Sequence, residues 1–162
     1  MSNRMKLSAV IATVFTVVAV GGGVIGTAGA TSESAGNQLA GTWTVTVNRP
    51  PPLPAVSSLQ AYTAQGSMLE SGNDSASRSP QYASWKRIRG REYAATGIFF
   101  RFDPQTGAFL GRVKINRTIE LAQDGQSFTF RGSSTVLDAN GNVVVTVPAS
   151  GSGQRLQVEE QP

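Results

Sequence analysis

The chain has 162 residues, no cysteine and no histidine, and its 14 basic and 10 acidic residues leave a formal net charge of +4. The two absent residue types exclude disulfides, thiolate and imidazole metal sites, cysteine nucleophiles and a Ser-His-Asp triad. The length suits one domain, held by its hydrophobic core alone.

The first thirty residues have the make-up of an export signal. Arg4 and Lys6 supply a positive start, an uncharged apolar stretch runs from Leu7 to about Val24, and Ala28 and Ala30 occupy the −3 and −1 positions of an A-x-A cleavage site. Residues 1–30 are therefore expected to be a signal peptide, with the mature chain starting at Thr31 in a secreted or extracytoplasmic space. An uncleaved membrane anchor is the other reading of the same stretch; after cleavage no stable anchor is expected. Removing Arg4 and Lys6 lowers the 14 basic residues to 12 against the same 10 acidic ones, a net charge of +2. That balance does not call for a nucleic-acid partner.

Residues 31–38, "TSESAGNQ", read as a polar, disordered lead-in, so the barrel domain is expected over 39–160. "LAGTWTVTVN" alternates Trp43, Val45 and Val47 with threonines, the period of two of a first strand near Thr42–Asn48. "RPPPLP" follows, with four prolines among residues 50–54, and reads as a stiff loop between strands or as a polyproline docking motif. A second strand is expected near Ser58–Ala64 and a short third one at "SMLES". The loop "GNDSASRSPQ" contains an N-x-S sequon at Asn73, and Asn116 begins a second one.

"YASWKRI" and "EYAATGIFFRFD" flank the turn "RGR", where Lys86, Arg87, Arg89 and Arg91 make a basic hairpin tip. This tip reads as a solvated turn or as a weak anionic-surface contact. "DPQTG" is a turn. "AFLGRVKINRTIELA" then alternates Phe109, Gly111, Val113, Ile115, Arg117, Ile119 and Leu121 with polar neighbours, the clearest alternation in the chain. "QDGQ" turns again. "SFTFRGSSTVLD" places Phe128, Phe130 and Val136 on one face, and "DANGN" is a hairpin turn. "VVVTVP" reads as an eighth strand and "GQRLQV" as a ninth. The mature chain has no convincing helical period.

The expected fold is all-β: an antiparallel up-and-down meander of eight or nine strands closed into a barrel, which leaves no exposed edge. A two-sheet sandwich is the alternative.

"GTW" on the first strand and "GQR" on the last resemble the structural signature of the calycin superfamily, which includes lipocalins and fatty-acid-binding proteins. The stretch through "SPQYASW", "FRFDPQTG" and "IELAQDG" is also similar to small secreted bacterial proteins of this lipocalin-like class. The resemblance implies that Gly41, Trp43 and Arg155 close one end of the barrel, with the arginine packed over the tryptophan. It also implies a ligand held inside. The disulfide and flanking helix usual in lipocalins have no counterpart in this sequence.

One residue breaks the apolar face. Arg117, between Ile115 and Ile119, is placed inward, where a guanidinium must be paired or wet. It reads either as one half of a structural pair or as the anchor of a ligand carboxylate. Tyr62, Tyr93 and Phe99 are candidate companions in a ligand site; packing in the core is their other reading. Arg101 shares the parity of Tyr93 and Phe99, and the sequence leaves open which side of that strand faces inward. The carboxylates show no paired spacing for acid–base catalysis. No metal or cofactor is called for. Three functions stay open: a binder of a small apolar or acidic molecule, a cofactor-free cyclase- or isomerase-type enzyme, and a filled barrel acting through its surface. Nothing in the sequence specifies an oligomeric state.

Overall fold

A computed structural model describes residues 38–161. The expected signal peptide over 1–30 and all but the last residue of the lead-in over 31–38 lie outside the described residues. Eight strands make up the fold: β1 (Gly41–Asn48), β2 (Val56–Tyr62), β3 (Ser67–Gly72), β4 (Gln81–Arg89), β5 (Glu92–Phe102), β6 (Phe109–Leu121), β7 (Ser127–Leu137) and β8 (Val143–Arg155). Every neighbour in the chain is a neighbour in the sheet, all pairs are antiparallel, and β8 returns to β1 to close the barrel. The sandwich alternative is thereby set aside. The helical content among the described residues is the single 3-10 turn Ser75–Ser77.

Local chemistry accounts for the three turns joining the last four strands. Asp103 Oδ1 accepts from the backbone of Gln105 and Thr106 at 2.9 and 2.8 Å. Asp124 Oδ1 accepts from Gln126 N at 2.9 Å, and Asp138 Oδ1 from Asn140 N and Asn142 N at 2.9 and 2.8 Å. In each case an aspartate caps its own turn, which explains why these connections are tight. The backbone caps hold the Asp103 carboxyl below the usual carboxylate range, and the Asn142 side chain, donating to Asp138 Oδ2 at 3.0 Å, together with the backbone caps does the same for Asp138.

The expected eighth and ninth strands are one strand of 13 residues. Pro148 lies within it. Proline lacks an N–H, but β8 pairs with β1 only from Ser150 onward, so Pro148 lies where one edge of the strand has no partner. Phe109 is a second departure. It is 47% exposed, although its parity matched the apolar face, because a register shift at Arg101/Phe102 turns the start of β6 outward. On β5, Tyr93, Ala95 and Phe99 face inward, while Ile98 and Phe100 are on the outer side.

The strands are unequal. β1–β4 have 8, 7, 6 and 9 residues, and β5–β8 have 11, 13, 11 and 13. One end of the barrel is packed solid. Leu39, Trp43, Tyr62, Met68, Trp85, Tyr93, Ile119, Leu121 and Phe128 are all buried there. Trp43 and Phe128 meet edge-on with ring centroids 4.8 Å apart. The Trp43 indole N–H donates to Leu39 O at 3.0 Å. Arg155 lies over the Trp43 ring at 4.3 Å, and its guanidinium donates to the carbonyls of Gly125, Ala40 and Gln38 at 2.9, 2.8 and 2.6 Å. Gly41, with φ +136°, lies beside it, and a Cβ at that position would collide with Arg155 Nη1. The three residues Gly41, Trp43 and Arg155 thus form one closure, in which the arginine ties the last strand to the chain entering the first.

Trp43→Ala is expected to cost about 3–5 kcal/mol, the usual penalty for truncating a buried aromatic. Urea denaturation of wild type and variant measures it; a loss under about 1 kcal/mol would mean that the end is held by the Arg155 hydrogen bonds alone.

Candidate functional site

Above the aromatic core the interior changes character. Six polar side chains are buried in the described chain: Ser58, Gln60, Glu70, Arg78, Gln81 and Arg117. The sheet register brings them together. Gln60 pairs with Glu70 across β2–β3, and Glu70 with Gln81 across β3–β4. Arg117 reaches them from β6, on the far wall. Its side chain is 2% exposed, and Ile119 beside it is fully buried.

Arg117 is fully engaged in this layer. Its Nη2 lies 3.5 Å from Glu70 Oε2, and its Nη1 donates to Gln60 Oε1 at 3.3 Å. Gln81, oriented with its amide oxygen toward Arg117, accepts from Nη2 at 3.3 Å and donates to Glu70 Oε2 at 3.3 Å. The Phe130 ring backs the guanidinium at 4.9 Å. Glu70 is shared. Its other oxygen, Oε1, accepts from Arg78 Nη2 at 3.0 Å, and Gln60 Nε2 donates to Oε2 at 2.7 Å. Arg78 Nε in turn donates to Asp74 Oδ1 at 2.6 Å. A buried carboxylate between two guanidiniums is compensated, which is what the interior requires of it.

This charged layer floors a cavity of about 610 Å³ that opens at the other end of the barrel. The long strands β5–β8 overhang there and supply apolar walls, among them Val113, Val136, Val147 and Ala149. The short-strand side is covered by two loops. Pro50 and Leu53 come from the proline-rich segment, and Asp74, Ser77 and Arg78 from the loop before β4. The stiff-loop reading of the prolines accords with this place: a segment with φ preset keeps its shape at the mouth without ladder bonds.

The sequence candidates divide between the two ends. Arg117 and Phe99 line the cavity. Tyr62 and Tyr93 do not; both are in the aromatic core at the closed end, within 6.0 and 5.6 Å of the Trp85 ring centroid. Both face inward, a side that the sequence left open for Tyr93, and their height along the barrel depends on strand tilt. The Tyr62 hydroxyl donates to Gln60 Oε1 at 2.8 Å, so it supports the polar floor from below. Glu70, Gln60, Gln81 and Arg78 escaped the sequence reading. For three of them a signal existed: Glu70 shares parity with Met68, Gln60 with Tyr62, and Gln81 with Trp85. Arg78 sits in a loop, where parity means nothing. The basic hairpin tip has Lys86, Arg87, Arg89 and Arg91 exposed, with Arg89 paired to Glu92 at 2.7 Å.

Compared with protein-family models, with curated proteins and with solved structures, the chain matches none.

Two predictions follow from the floor. Arg117→Met is expected to destabilise the protein by about 3 kcal/mol, the lower end for breaking a buried pair, because Arg78 still holds Glu70. Equilibrium unfolding measures this, and a more stable variant would show that the pair is dispensable. The second concerns Tyr62, whose pKa is pushed up to about 12, chiefly by burial and partly offset by Arg117. Between pH ~10 and ~12 the unfolded chain loses a phenol proton that folded Tyr62 keeps. The unfolded state then binds fewer protons, so stability falls as pH rises, by up to about 1.4 kcal/mol per pH unit for this group. Urea midpoints at pH 9 and 11 are expected to show a smaller alkaline loss in Tyr62→Phe than in wild type; burial raises Tyr93 in the same direction, so part of the loss remains.

Proposed function

We propose that this chain is an exported, calycin-like binding protein that holds a small amphipathic molecule in the open end of its barrel. The observation that carries the reading is the cavity: about 610 Å³, with apolar walls and a floor of buried charge. That volume falls within the ~300–1,000 Å³ of small-molecule sites, and apolar walls with a few convergent polar groups are their usual composition. Export rests on the charged start, apolar run and A-x-A ending of residues 1–30. The calycin reading rests on Gly41, Trp43 and Arg155 together with the closed meander.

The cavity's own chemistry weighs against acid–base catalysis there. A general acid or base must be free to exchange a proton with its substrate. Both carboxylates at the cavity are engaged, Glu70 with Arg78 and Arg117, and Asp74 with Arg78 and Arg49. The filled-barrel alternative is disfavoured by the volume left open.

A neutral apolar fluorophore, N-phenyl-1-naphthylamine, is expected to bind with a rise in emission. Ala149→Trp, which places a large ring on the cavity wall, is expected to weaken it by about tenfold or more, a loss of at least ~1.4 kcal/mol. Unchanged binding in that variant would move the site elsewhere. Native mass spectrometry of the exported protein tests directly for a retained ligand.

A further inference from the structure

The charges around the cavity do not balance. Its ionisable lining consists of Arg49, Arg78, Arg101 and Arg117 against Glu70 and Asp74, four cations to two anions. The excess is not spread evenly. Both terminal nitrogens of Arg117 are engaged by Glu70, Gln60 and Gln81, and Arg49 lies 3.8 Å from Asp74. Arg78 and Arg101 are different.

The Arg78 side chain is only 5% exposed. Two of its nitrogens are used, Nε on Asp74 and Nη2 on Glu70, but Nη1 is buried with no hydrogen-bond partner. Burying a guanidinium N–H without an acceptor is unfavourable, so the atom marks a place where an acceptor belongs. The fold holds the group in position. The Phe99 ring stacks on it at 4.8 Å. Gly72 gives it room, since a Cβ there would collide with Nη2 and Cζ.

Arg101 stands directly opposite. The backbones of Arg78 and Arg101 form an isolated antiparallel bridge, and residues so paired project to the same side. Both line the cavity. Like charges placed opposite each other repel unless an anion lies between them. Arg101 has no ion pair among the described residues.

We infer that Arg78 and Arg101 are the seat of a ligand's anionic head group, with its apolar tail along Val113, Val136 and Val147. This rests on the cavity being a ligand site. It names the ligand class, an amphipathic anion, and transfers the anchor from Arg117 to the arginine pair at the side of the mouth. Arg117 becomes a positioning residue that holds Glu70, which in turn orients Arg78. The head group would accept from Arg78 Nη1 and neutralise Arg101, completing both unmet demands with one ligand.

Isothermal titration with three ligands of one chain length tests this: decanoate, decanol and decyltrimethylammonium. Decanoate is expected to bind about tenfold or more tighter than decanol, with the cation weakest, and the decanoate preference is expected to shrink as salt is raised. Arg101→Gln, which breaks no ion pair among the described residues, is expected to bring decanoate to within about twofold of decanol. Arg78→Lys is expected to weaken decanoate without abolishing the anion preference, because a point charge replaces the planar fork. Equal binding of decanoate and decanol by wild type, or full preference retained in Arg101→Gln, overturns the head-group seat while the cavity reading stands. If none of the three binds or displaces N-phenyl-1-naphthylamine, the cavity reading fails and the seat fails with it.

Discussion

The fold depends on one ladder, the pairing of β1 with β8. Its register runs from Trp43↔Arg155 to Asn48↔Ser150 and converts an eight-stranded meander into a ring. Without it, two edge strands would be exposed and the interior would lie open along one side. No disulfide is available to secure the ring. The closure is instead locked at its end by Arg155, which stacks on Trp43 and donates to three backbone carbonyls. A cation on an aromatic face contributes on the order of 0.5–2 kcal/mol. The hydrogen bonds of this partly exposed guanidinium add to that.

Once the ring is closed, its interior is ordered by height. The aromatic core lies at the end where all eight strands are present. The polar layer lies above it, and the cavity where only the longer strands continue. Three arginines are seated on rings: Arg155 on Trp43, Arg117 on Phe130, Arg78 on Phe99. A flat, weakly hydrated guanidinium is suited to this, because it stacks on one face while its edge makes hydrogen bonds. The packed end below gives the charged layer a rigid base. Glu70 is held there between two guanidiniums.

Strand inequality connects fold to function. Because β1 ends near Asn48 while β8 begins at Val143, the wall is high on one side and low on the other. Two loops of unlike chemistry occupy the low side. The proline-rich segment brings apolar surface and fixed φ, and the loop containing Asp74 and Arg78 brings charge. A mouth built this way is apolar around most of its rim and cationic at one point.

Much of this protein was determined by sequence alone. Strand positions followed from period-two alternation, and the turns from Asp and Gly at fixed offsets, because both are local properties of the backbone. The inward placement of Arg117 was legible for the same reason: Ile115, Ile119 and Leu121 share its parity. The resemblance at Gly41, Trp43 and Arg155 pointed to the closed end. Only the tertiary structure decided what Arg117 meets. Its partners Gln60, Glu70 and Gln81 lie on three other strands, and their meeting depends on register and tilt around a closed ring, which no local pattern encodes. The same holds for Tyr62 and Tyr93, which face inward but too near the closed end to reach the cavity. Arg78 was hidden more deeply, since a loop residue has no parity, and its side chain packs against Phe99, Glu70 and Asp74, which are distant or in the same loop. Whether the barrel is filled or open is a sum of side-chain volumes against a shape fixed by strand length and curvature, and that shape exists only once the chain has closed on itself.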